Sequence, residues 1–182
     1  MQTWMTHKIQ NQFDELQDYN LFETDTILQE ILTRYGSQDQ TRLSELGHIA
    51  ASAEYYHYAD LANRHTPILH AFDARGHRKD VVEFHPAWHH WMALNRQFDT
   101  HAHPFKQLQS TAKWVDWASR FYLAGQIECG NLCPNSMTLG SIPLFSVNLS
   151  CGQAWVKNCY RMNMTHVMYR FHKKNLFGWA WV

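Results

Sequence analysis

His85 and His89 are the two side chains whose types and spacing most directly suggest chemistry. They fall in a stretch that runs from Asp80 to Met92, Asp-Val-Val-Glu-Phe-His-Pro-Ala-Trp-His-His-Trp-Met. Residues four apart share one edge of a helix, and two imidazoles placed so can offer nitrogen ligands to a divalent metal ion. A plainer role competes: His85 caps the helix start while His89 packs or meets solvent. No carboxylate or third histidine follows at the spacing of metalloprotease helices, which favours the plainer role. Cys133 is a candidate nucleophile. A thiol attacks as its thiolate and needs a neighbouring base, yet no histidine lies close in the sequence, so a buried, inert thiol is the competing role. Near the C-terminus, Lys157, Arg161, Arg170, Lys173 and Lys174 alternate with Trp155, Tyr160, Tyr169 and Phe171. Bases stack on aromatic rings set between cations, so this pattern has the form of a nucleic-acid surface.

The chain's 182 residues, 45% of them hydrophobic, are enough for one domain with a substantial core. Its 16 basic and 16 acidic residues cancel, so no overall field draws it to nucleic acid or anionic membrane. The 13 histidines add positive charge only as pH falls toward about 6. No stretch reads as a signal peptide or bilayer span, and Cys129, Cys133, Cys151 and Cys159 match no zinc signature. A soluble cytoplasmic protein with reduced thiols is expected.

These residues must be positioned by mostly helical elements. Trp4, Ile9, Phe13 and Leu16 are scattered, as in an irregular arm lying over the domain. Ile27, Leu28, Ile31, Leu32 and Tyr35 form a helical stripe, with Thr24 or Asp25 as cap and Gly36 as terminator. A second helix is predicted from near Gln40 to about Asn63, burying Leu43, Leu46, Ile49, Ala50, Ala53, Tyr58, Leu61 and Ala62. Ile68, His70 and Phe72, the turn Asp73-Ala74-Arg75-Gly76, and Val82 and Phe84 predict a β-hairpin with one face buried. Pro86 then opens a helix that buries Trp88, Trp91, Met92 and Asn95. His101 to Phe105 reads as a break. From Ala112 to Glu128 the residues Trp114, Val115, Trp117, Ala118, Phe121, Tyr122, Ala124 and Gly125 make the wide apolar band of an inner helix. Pro134 suits the first turn of another, with Asn135 or Ser136 as polar caps.

Four blocks of sequence resemble the N-terminal domain of AidB-like acyl-CoA dehydrogenases. They are Ala59 to Asn63, Ala71 to Gly76, Val82 to His89 and Gly130 to Thr138, in the family's order, with the resemblance covering about Asn11 to Asn148. The resemblance implies a mainly α domain of four or five helices with one small β-hairpin, packed in the family beside an FAD-binding β-domain. It also implies flavoproteins of the DNA alkylation response, homotetrameric, with the catalytic glutamate and a DNA-binding face in a C-terminal helical domain. In the reaction so implied a glutamate removes the α-proton and flavin N5 takes the β-hydride. The family's flavin motif, Met-Thr-Glu-Lys-Gln-Gly-Gly-Ser-Asp, does not occur in this chain, and no acidic residue follows Glu128. Accordingly no catalytic, cofactor-binding or metal-ligating residue is assigned, and FAD is expected in the full-length family but not in this chain.

Departure from the family pattern begins near Leu149. Trp and Met each have a single codon, so part of the underlying DNA can be written down. Read from the third base of each codon, Met162 to Lys174 permits Glu-Tyr-Asp-Pro-Arg-Asp-Val-Pro-Ile-Ser-Gln-Lys, with the first Glu, the first Asp and the Val forced. This resembles the family's linker, and Gly178 to Val182 permits Leu-Gly-Met-Gly, similar to the opening of its flavin motif. A one-base deletion near Leu149 accounts for both, leaving an enzymatically silent N-terminal fragment. The expected organisation is an arm over residues 1–20, the helical domain over 21–148, and a non-homologous, frameshifted tail over 149–182. Such a fragment is expected to be monomeric or to aggregate, without membrane contact; a stand-alone helical interaction module is the alternative.

Overall fold

The structure, a computed structural model, describes residues 8, 10–13 and 16–147. Trp4 and Ile9 of the expected arm lie outside these residues, as does the whole tail 149–182. The element order is α1 (Thr26–Arg34), α2 (Gln40–Ala50), α3 (Ala53–Arg64), β1 (Ile68–Phe72), β2 (Arg78–Glu83), α4 (Pro86–Gln97), α5 (His103–Lys106), α6 (Lys113–Gly125) and α7 (Leu132–Val147). The mainly helical class with one hairpin is as expected. The described residues form seven helices rather than four or five.

One extra helix comes from a break in the long helix predicted between Gln40 and Asn63. Ser52 leaves helical geometry and its hydroxyl accepts the Tyr55 amide at 3.3 Å, capping α3. Asp18 holds the break from outside. Its amide donates to the Ala51 carbonyl at 2.8 Å and its carboxylate accepts the Ala53 amide at 2.8 Å. Ala53, expected inside, is therefore exposed, and Ala59 is the buried residue of α3. Farther out along the arm, Phe13 is 93% exposed and does not lie over the domain.

α1 starts where Asp25 accepts the Leu28 amide at 2.8 Å, and it ends before Gly36, whose φ of 70° suits glycine. Only Leu28 and Leu32 of its stripe are buried; Ile27, Ile31 and Tyr35 face outward. In the hairpin, Ile68 pairs with Glu83 and Leu69 with Val82, with an irregularity between His70 and Phe72. Asp73 builds the turn by accepting the amides of Arg75 and His77 at 2.8 and 2.9 Å. Among the described residues neither face of the hairpin is fully buried, contrary to the buried face its alternation suggested: His70, Ala71, Val81 and Val82 are half-buried, and Ile68, Leu69 and Phe72 are exposed.

α4 begins as the sequence implies. Pro86 occupies the first turn, and His85 Nδ1 accepts the Ala87 amide at 3.2 Å. The helix buries Trp91, Met92, Leu94 and Asn95, while Trp88 is half-buried against Phe84. Trp91, Leu94 and Phe98 join Leu21, Phe22, Leu32, Leu43, Leu46 and Leu123 in the core. α3 packs on α4 and α2 on α6, so the hairpin projects from the link between two packed helices.

α6 follows the expected band only in part: Ala124 is buried and Val115, Trp117 and Phe121 are half-buried, but Ala118 is exposed. Its buried residues are Asp116, Ser119, Arg120, Leu123 and Ala124, whereas Trp114 and Tyr122 are each 50% exposed. In the supposed break, His101 to Pro104 are buried, Phe105 is half-buried, and α5 begins at His103.

Candidate functional site

A buried charge cluster occupies the junction of α2, α5 and α6. Arg120 is only 3% exposed and its guanidinium is fully engaged. Nε donates to the Phe98 carbonyl at 2.7 Å, Nη1 to the Asp116 carbonyl at 2.8 Å, and Nη2 to the Asp39 carboxylate. Asp39 is the N-cap residue of α2, but its side chain makes no capping bond because it turns to Arg120 instead. Burial pushes the Arg120 pKa down to about 10, still well above neutrality.

His103 faces both carboxylates of this cluster. Its Nε2 lies 4.0 Å from Asp39 Oδ2 and 3.9 Å from Asp116 Oδ2, beyond hydrogen-bond length. Among the described residues, His103 Nε2 and Asp116 Oδ1 have no hydrogen-bond partner. Burial lowers the imidazole pKa, against the pull of the Asp116 and Asp99 carboxylates. Asp99 in turn accepts from Lys106 Nζ at 2.5 Å, at a backbone φ of 59°. Ligand atoms of Asp39, His103 and Asp116 all lie within 4.8 Å of one another, so these three side chains can reach a single cation. The arrangement offers ion binding and helix anchorage.

A second buried polar network ties α6 to α7. Glu128 accepts the amides of Gly130 and Asn131 at 2.7 and 3.0 Å and the Asn131 side-chain amide. Asn131 Oδ1 accepts from Asn95 Nδ2 at 2.7 Å, and Asn135 Nδ2 donates to the Asn131 carbonyl at 2.8 Å. Asn135, read as a polar cap, is thus a buried cross-link inside the helix.

The candidates singled out by spacing are not brought together. His85 spends Nδ1 on its cap, and its ring stacks on His65 with centroids 4.5 Å apart. His89 is exposed and meets Phe84 and Trp88 edge-on, and neither histidine belongs to a three-ligand group among the described residues. Cys133, expected to be buried, is exposed, as is Cys129. The basic and aromatic pattern from Trp155 to Lys174 falls outside the described residues. What spacing missed was the cluster itself. Its one local signal was Asp116 and Arg120, four apart on a helix.

The outer side of α6 carries an aromatic ladder. Phe105, Trp114, Trp117 and Phe121 follow one another with successive ring centroids 6.0, 6.1 and 5.3 Å apart. Tyr122 reaches from the same helix to α1, donating its hydroxyl to Asp25 at 3.0 Å. On α7, Leu144 is also exposed. Large exposed apolar side chains in a contiguous patch mark a surface suited to a partner.

Comparison with known proteins places the chain in a family. Residues 11–164 match the family described as the adaptive response protein AidB N-terminal domain, a range that runs past Leu149. The putative acyl-CoA dehydrogenase AidB of Escherichia coli (strain K12) is 37% identical over 142 residues, covering 78% of this chain and 26% of that protein. The crystal structure of Caenorhabditis elegans ACDH-11 in complex with C11-CoA superimposes with a TM-score of 0.64 at 18% identity, covering 86% of this chain and 28% of that one. The chain therefore spans about a quarter of the length of these relatives.

Proposed function

Because the chain belongs to the AidB N-terminal domain family, we propose that it serves as the N-terminal helical domain of an acyl-CoA dehydrogenase flavoprotein and works by docking rather than by chemistry of its own. The observation that carries this reading is the exposure of large aromatic side chains on α6. A helix that buries Asp116 and Arg120 and leaves Trp114 and Tyr122 half exposed has its apolar side available for another part of the enzyme. In this reading that part is the FAD-binding β-domain, which meets the outer side of α6 and the end of α7. The working unit is then a cytoplasmic homotetramer of the alkylation response, with FAD, the catalytic glutamate and the DNA contacts supplied by other domains.

The residues from Leu149 onward belong to the same proposal as a shifted reading frame. Sequencing the gene across the Leu149 codons tests that part directly, and an intact frame through to Val182 overturns it.

The docking itself is tested by co-expressing the chain with the part of Escherichia coli AidB that follows its own N-terminal domain. A flavin-coloured complex on size exclusion, lost in Trp114→Asp and Tyr122→Asp, is the expected result. A yellow chain purified alone, or a complex indifferent to both changes, overturns it. The stand-alone module is favoured by the exposure of Ile27, at 70%, which lies on α1. It predicts a defined oligomer of the isolated chain, whereas the docking domain by itself elutes as a monomer or aggregates.

A further inference from the structure

We propose that Asp39, His103 and Asp116 form a buried site for a divalent transition-metal ion of the zinc class. The three residues supply one imidazole and two carboxylates, a mixed nitrogen and oxygen set that such ions accept. The spacing fits. His103 Nε2 stands 3.9 and 4.0 Å from the two carboxylate oxygens, too far for hydrogen bonds. Two coordinate bonds of about 2.1 Å span such a gap at an angle of about 140°, and an inward shift of about 0.5 Å brings the ligand atoms to tetrahedral separation.

Burial and missing partners point the same way. The side chains of His103 and Asp116 are each only 5% exposed, yet His103 Nε2 and Asp116 Oδ1 lack hydrogen-bond partners among the described residues. An orphaned buried polar atom is costly, and two on neighbouring side chains of one cluster call for a shared occupant. Asp116 Oδ1 can turn its monodentate contact into a bidentate one.

Arg120 does not close the site. A carboxylate oxygen has two lone-pair sites, so Asp39 Oδ2 can accept from Arg120 and coordinate an ion together. The charges also balance. With His103 neutral, the two carboxylates exceed Arg120 by one negative charge. A divalent ion carrying one hydroxide supplies one positive charge, and zinc lowers the pKa of its bound water to about 7. Asp39, with its side chain 24% exposed, gives the ion a way in.

The test is titration of the metal-free chain with zinc alone, read by calorimetry and by elemental analysis after desalting. One zinc per chain is expected in the unaltered chain and in His85→Ala and His89→Ala. Loss of an outer-shell partner typically weakens metal binding about 10–100-fold, and loss of a ligand more. His103→Gln and Asp116→Asn should therefore weaken binding beyond that range. Asp116→Asn removes a buried charge without changing shape, so the metal-free variant should stay folded by circular dichroism. Cobalt(II) in the unaltered chain gives a readout free of any variant, a paramagnetically shifted ring resonance assigned to His103. Absence of saturable binding, zinc retained in both ligand variants, or cobalt shifts confined to other histidines each overturns the site.

Discussion

Trp91 stands edge-on to Tyr55, with ring centroids 5.2 Å apart and planes at 89°, while its indole N–H donates to the Tyr55 carbonyl at 3.3 Å. One fully buried side chain thereby joins α4 to α3 by packing, ring geometry and a hydrogen bond together. Trp91→Ala should cost about 3–5 kcal/mol, read as a lower urea midpoint. A loss near zero would show that the α3 and α4 interface does not hold the fold.

Gly47 inverts a general rule. Alanine in place of a helical glycine usually stabilises by about 1 kcal/mol. Here an added Cβ would lie 2.7 Å from the Phe22 amide nitrogen and 2.7 Å from Asn20 Oδ1. Backbone cannot step aside as a side-chain tip can, so Gly47→Ala should lower the melting temperature. A higher melting temperature would contradict the close approach of residues 20–22 to α2.

Removing one member of a buried ion pair strands the other. Arg120→Met should cost about 3–5 kcal/mol, moderated by the partial exposure of Asp39. Arg120→Lys should not rescue it, because one ammonium cannot serve the Phe98 carbonyl, the Asp116 carbonyl and Asp39 in the planar geometry of the guanidinium. The double variant with Asp39→Asn should lose less than the sum of the two changes, which a double-mutant cycle by chemical denaturation measures.

The hairpin turn should respond to acid. Backbone amides of His77 and Arg75, then the His77 side chain, hold the Asp73 pKa below its ordinary 3.8. A depressed carboxylate contributes stability that is fully present above the unfolded value and is lost as pH falls through the folded one. NMR titration should show the Arg75 and His77 amides shifting with a midpoint below pH 3.8. A midpoint at or above that value would mean the turn is not built on this carboxylate.

Features set by a few neighbouring residues were legible in the sequence. Pro86 and His85 at a helix start, Asp25 as a cap, Gly36 as a stop and Asp73 to Gly76 as a turn all act through local geometry. The break at Ser52 was less legible, because Asp18 and the Ala51 carbonyl complete it from a distant segment. α6 misled for a related reason. Its aromatic residues suggested an inner side, but Arg120 must face inward to meet Phe98 and Asp39, and no spacing within the helix reveals those partners. The Asp39, His103 and Asp116 cluster is assembled from three segments, each ordinary by itself.

The same assembly sets the order in which the chain can fold. Asp39 and Arg120 are 81 residues apart, so bringing them together closes a loop whose entropy cost is on the order of 4 kcal/mol. The hairpin and the short α1 to α2 link close much smaller loops and can form first. Docking of α6 onto the start of α2 is thereby a late event on the folding route, and the Asp39 and Arg120 pair acts as a latch on the finished domain. Weakening that latch should speed unfolding while leaving the refolding rate nearly unchanged.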